Sequence, residues 1–153
     1  MDRGGTNGEA NGGQARPATP GVAGIGGVFF KARDPAALAA WYREHLGLPV
    51  AEGALHAMFT AAAPDATGAP LQTVWSAFPA KTGYFGAGVA QLMVNYRVSD
   101  LDAMLEWLRA AGVPVDERID ESEFGRFGWA TDPEGNRFEL WEPPPGGIPT
   151  PGE

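Results

Sequence analysis

With 153 residues and 44% apolar content, the chain has room for one compact core or two closely packed half-domains, not two independent ones. It contains no cysteine and two histidines, which excludes disulfides, thiolate metal sites and cysteine nucleophiles. The formal net charge of -8 argues against nucleic-acid binding, which needs clustered Lys and Arg. No apolar run is long enough to cross a membrane, and no basic, then apolar, leader opens the chain, so a cytoplasmic setting is the default expectation.

Residues 1–21 are rich in Gly, Ala, Asn and Pro without apolar periodicity, and are read as a disordered tail. Residues 28–32 (VFFKA) read as a strand, after which Asp34 can cap a helix and Pro35 suits its first turn. Leu38, Trp41, Tyr42 and Leu46 recur at helical spacing as one apolar face, and Gly47 suits the left-handed exit. Three short strands are predicted next, near 49–52, 55–61 and 71–78.

The same order then returns. Residues 94–98 (VNYRV) form a strand, Asp100 a cap, and Leu101, Met104, Leu105 and Leu108 an apolar helix face closed by Gly112. Strands near 114–120, 125–131 and 137–142 follow, the last two joined at Asp132-Pro133-Glu134-Gly135-Asn136, a strong turn signal. The Pro- and Gly-rich residues 144–153 read as an extended or mobile tail.

Phe30 and Tyr96, Lys31 and Arg97, and Trp41 and Trp107 each stand 66 residues apart, and Gly47-Leu48-Pro49-Val50 matches Gly112-Val113-Pro114-Val115 at 65. This identifies an internal duplication of a βαβββ module, spanning about 24–80 and 89–143 within one domain over 22–143. Strand alternation places Val28, Phe30 and Ala32, with Val94, Tyr96 and Val98, under the helices. Gly27, Phe29 and Lys31, with Met93, Asn95 and Arg97, then face the other way, a mixture suited to a ligand cavity.

The texts GGVFFKARDPAALAAWYREHLGL and NYRVSDLDAMLEWLRAAGV, closing on DPEGNRFELWEP, resemble the glyoxalase/bleomycin-resistance family of the vicinal oxygen chelate superfamily. The resemblance implies an α+β fold in which two βαβββ modules form a curved mixed sheet around a cavity, often completed by a homodimer. Many such proteins hold a divalent metal there for isomerisation, lyase or dioxygenase chemistry. The ligand positions carried over fall on Gly27, Ser76, Met93 and Glu139, of which only Glu139 supplies a suitable donor. No metal or other cofactor is therefore expected, while a site from Glu139, His56 and waters stays open as a departure from the family arrangement.

His45, late in the first helix, reads as an exposed imidazole. His56 and Glu139 are the candidates for acid/base chemistry. A structural reading of Glu139, as the partner of Arg97 or Lys31 in a retained ion pair, stands beside that one. Phe29, Lys31, Ser76, Met93, Asn95, Arg97 and Trp141 are the candidate ligand contacts. Trp75 and Trp129 read as core or cavity wall, and Tyr84-Phe85-Gly86 either covers the cavity mouth or packs the connector. The function these residues favour is metal-free binding of a small organic molecule. A lyase, isomerase or acid/base enzyme, and an interaction module without a ligand, are the alternatives.

Overall fold

The computed structural model describes residues 20–65 and 68–148; the expected N-terminal tail up to residue 19 and the residues after 148 lie outside that range. Its elements run β1 (Val22–Ala32), α1 (Pro35–Leu46), β2 (His56–Thr60), β3 (Gln72–Pro79), β4 (Leu92–Val98), α2 (Leu101–Ala110), β5 (Asp120–Ser122), β6 (Gly125–Thr131) and β7 (Arg137–Glu142). One curled seven-stranded sheet has the order β2-β3-β1-β4-β7-β6-β5. β1 is parallel to β3 and β4 parallel to β7, while β1 and β4 meet antiparallel at the centre. Val28 pairs with Val94 there. These two residues are 66 apart, the repeat spacing, so the local two-fold relating the modules passes between them.

Both helices begin where the caps predict. Asp34 accepts a hydrogen bond from the Ala37 amide at 3.0 Å, and Asp100 one from the Ala103 amide at 2.9 Å, each satisfying a donor that the first turn leaves free. Gly47 ends α1 with φ of 65°. Replacing either cap by Ala should cost about 1 kcal/mol in urea unfolding, and because the two caps share no partner the double variant should lose the sum of the two.

The two helices lie on one face, α1 over β1 and β3, α2 over β6 and β7. Phe30, Trp75 and Ala77 of the sheet pack against Leu38, Ala39 and Tyr42 of α1, and Tyr96, Val98 and Leu140 against Leu101, Met104 and Leu105 of α2, with the strand residues on the face that alternation assigns. The expected face of α1 is rotated, however. Ala39 is the residue that is buried, while Trp41 and Leu46 are about half exposed or more, and Trp41 stacks on His45 with ring centroids 4.7 Å apart. A small side chain at position 39 lets the helix approach the sheet along a stripe that excludes the larger Trp41.

The strand expected just after each helix is reduced. In module one it is a single bridge, Val50 to Ala57, and in module two a bridge, Val115 to Ala130, followed by the short β5. Pro49 and Pro114 have no amide to donate, and the charged residues Asp116, Glu117 and Arg118 favour a solvated edge, so the ladder thins there. The hairpin of β6 and β7 forms as predicted, with the Asp132 carboxylate accepting from the Glu134 and Asn136 amides.

Candidate functional site

The sheet face opposite the helices encloses a cavity of about 660 Å³. Its wall is mainly apolar and aromatic, with Phe29, Phe78, Phe124, Phe127 and Trp141 among the lining residues. Phe127 and Trp141 stack at 6.4 Å with planes 7° apart, forming one flat side. Phe29 also joins Phe85, Met93 and Trp129, which lie behind the wall, in the core of this face.

Of the residues expected to meet a ligand, Phe29, Ser76, Asn95 and Trp141 line the cavity, as do His56 and Glu139. Lys31, Met93 and Arg97 do not. Lys31 places its ammonium 5.3 Å from the Phe85 ring centroid, outside the cavity. Met93 is 1% exposed within the aromatic core. Arg97 reaches past β1 to donate from Nη1 to the Gln72 carbonyl at 2.8 Å. The alternation assigned the face correctly, but a face carries both core and cavity, and curvature decides which residues reach the opening.

Glu139 is wholly buried and contributes to the cavity wall. β7 places it beside Asn95 of β4 and Trp129 of β6, its register partners. Asn95 Nδ2 donates to Oε1 at 2.6 Å, Trp129 Nε1 to Oε2 at 2.9 Å, and the Tyr84 hydroxyl to the same Oε2. Three neutral donors therefore satisfy the carboxylate, and the ion pair with Arg97 or Lys31 is not made. Burial raises the Glu139 pKa above the ordinary carboxylate value, against the opposing effect of the Tyr84, Asn95 and Trp129 hydrogen bonds and of the Arg137 charge. Burial, reinforced by the neighbouring carboxylate, also raises that of Tyr84, which keeps its hydroxyl a donor.

Tyr84 is the site residue that sequence reading did not place. It comes from the connector between modules, 55 residues from its partner, and Arg137 holds it by donating to the Tyr84 carbonyl. Arg137 in turn pairs with Asp116 at 2.7 Å and lies over the Trp129 ring. The adjacent Phe85 packs into the core, so of the two readings of Tyr84-Phe85-Gly86 the contacts support packing of the connector, while Tyr84 lines the cavity beside Glu139. Buried Gln72 holds the backbone of Ile148 through two hydrogen bonds of 3.0 and 2.7 Å, and Ile148 becomes part of the cavity wall.

The four positions where the superfamily places metal ligands do not fit a divalent ion in this chain. A side chain at Gly27 would start 2.8 Å from the Phe29 ring, which occupies that space. Met93 is core, and Ser76 Oγ points its hydrogen bond at the Leu55 carbonyl. Both Glu139 oxygens already accept. Among the described residues no three His, Asp or Glu side chains converge as a ligand set.

Residues 27–141 match the family model described as Glyoxalase-like domain. Among solved structures, methylmalonyl-CoA epimerase from Mycobacterium tuberculosis is 25% identical with a TM-score of 0.54, over 85% of this chain and 94% of that one. A methylmalonyl-CoA epimerase in complex with methylmalonyl-CoA and NH4+ is 17% identical with a TM-score of 0.60, over 84% and 100%. The epimerase from Streptomyces coelicolor with 2-nitronate-propionyl-CoA, 18% identical, has a TM-score of 0.56 over 78% and 96%. No curated protein gives a significant sequence match.

Proposed function

The chain belongs to the glyoxalase-like domain family of the vicinal oxygen chelate superfamily, and we propose that it uses the fold to bind a small aromatic molecule without a metal. The observation that carries this reading is the pairing of a cavity of about 660 Å³, walled by stacked aromatic rings, with a metal-ligand set reduced to one fully engaged carboxylate. A volume of that size suits a drug-sized ligand, and the flat Phe127 and Trp141 pair offers it a stacking surface. The enzyme alternative would use Glu139 as acid or base. Glu139 has no exposed surface beneath Tyr84, Asn95 and Trp129, so a substrate would have to move one of these groups before exchanging a proton with it.

Quinoline is a suitable probe. Titrated into 15N-labelled protein, it should shift the indole resonances of Trp129 and Trp141, with an affinity unchanged by EDTA. Trp141→Ala should weaken it roughly ten-fold, the equivalent of about 1.4 kcal/mol. An affinity abolished by EDTA and restored by a divalent ion would overturn the metal-free reading. The proposal includes the family's homodimer and a cytoplasmic setting. Sedimentation giving the mass of one chain at tens of micromolar would remove the dimer.

A further inference from the structure

Asn95 is 2% exposed and lines the cavity, yet its Oδ1 has no hydrogen-bond partner. Buried polar atoms are nearly always paired, so an orphaned acceptor in a cavity wall asks for a donor from elsewhere. Its orientation is dictated from below. Glu139 Oε1 accepts from the amide, which therefore turns Nδ2 towards it and leaves Oδ1 on the other side. There Oδ1 is packed against Gly26, where a Cβ would come within 2.3 Å of it and 2.6 Å of the Trp141 ring, and it has almost no accessible surface of its own, so a ligand donor reaches it only as the Trp141 ring turns aside. Gly26, Asn95 and Trp141 thus bring a bare backbone, an unsatisfied carbonyl and an aromatic surface together at one point of the wall.

We propose that this point recognises a hydrogen-bond donor on the ligand, and that the cavity takes uncharged planar aromatic compounds bearing a ring N–H or phenolic O–H. The inference rests on the binding reading above and specifies its ligand class. The electrostatics agree: no Lys or Arg lines the cavity among the described residues, so an anionic ligand would meet Glu139 with no cation to offset it. Trp141 supports the ring while Asn95 Oδ1 accepts the proton at its edge. Selectivity comes from the penalty of leaving Oδ1 unpaired when the donor is missing.

Indole and benzofuran, the same shape with N–H replaced by ring oxygen, test this by calorimetric or NMR titration. Indole should bind at least five-fold more tightly. In Asn95→Leu the ratio should fall below two-fold with benzofuran still bound. Glu139→Gln provides an independent arm. Trp129 N–H can only donate, so the carboxamide must turn its oxygen to Trp129 and Tyr84 and its Nε2 to Asn95. Asn95 then flips to accept, presents Nδ2 over Gly26, and the preference for indole should vanish or reverse. Equal binding of both probes by the unaltered protein, weakened by Trp141→Ala, would overturn donor recognition and leave the cavity reading standing. An indole preference that survives both Asn95→Leu and Glu139→Gln would also overturn it. Binding of none of quinoline, indole and benzofuran would remove the cavity reading and this inference together.

Discussion

Glu139→Ala should lower the unfolding free energy by about 2–4 kcal/mol, whereas Glu139→Gln should stay within about 1 kcal/mol of the unaltered protein. The alanine strands three donors, from Tyr84, Asn95 and Trp129, in a place that water reaches poorly. Glutamine keeps an oxygen for Tyr84 and Trp129, and the Asn95 amide can turn to accept from its nitrogen. Urea unfolding of the two variants separates a role for the carboxylate's hydrogen bonds from a role for its charge. Equal losses in both would mean that the charge matters more than the acceptors.

The same pair of proteins sets the pH dependence. Burial raises the folded-state pKa of Glu139, so the native protein holds this proton more tightly than the unfolded chain does. The contribution of Glu139 to stability is therefore fully present below the unfolded pKa and is lost as pH rises through the folded one. Stability of the unaltered protein minus that of Glu139→Gln should decline across that window. Other carboxylates, such as Asp102 beside Arg126, have lowered pKa values and an opposite slope at lower pH, and they cancel in the difference. A difference that grows with pH would reverse the assignment.

Gly125→Ala should cost about 2–4 kcal/mol and loosen the junction of β5 and β6. Gly125 has φ of 112°, and a Cβ there would lie 2.2 Å from the Glu142 carbonyl oxygen and 3.0 Å from Trp141 Nε1. The first of these is backbone within the paired strands β6 and β7, so it cannot swing away as a side chain would. Trp141 Nε1 also donates to the Phe124 carbonyl at 2.8 Å, so the substitution would disturb the cavity's stacking surface. Gly47→Ala is the control. Its φ is 65° but a Cβ there meets nothing within 4 Å, so it should cost only about 1 kcal/mol. If thermal unfolding puts the two substitutions at the same loss, the close approach at Gly125 carries no energy of its own.

Much of this architecture is legible in one dimension because it is set by local chemistry. Asp34 and Asp100 cap helices three residues upstream of the amides they satisfy, and Asp132 to Asn136 close a turn within themselves. The period-two alternation of β1 and β4 assigns faces without knowledge of the partner strands. The repeat spacing even places the central pair, Val28 and Val94. Where the reading slipped, a local rule met a tertiary one. Trp41 has the right spacing for the core, but burial of Ala39 is what lets α1 close on the sheet.

The sequence by itself determined the duplicated modules, the helix and hairpin boundaries, the family, and the poverty of the metal-ligand positions, since each depends on residue type at a short or repeating spacing. Only the tertiary structure decided how Glu139 is satisfied, because its donors come from β4, β6 and the connector, the farthest 55 residues away. It likewise decided that Arg97 and Lys31 leave the cavity while Gly26 and Ile148 enter it. Hydrogen-bond partners and cavity walls are set by sheet curvature and by which side chains fill space first, and neither follows from the order of residues along a strand.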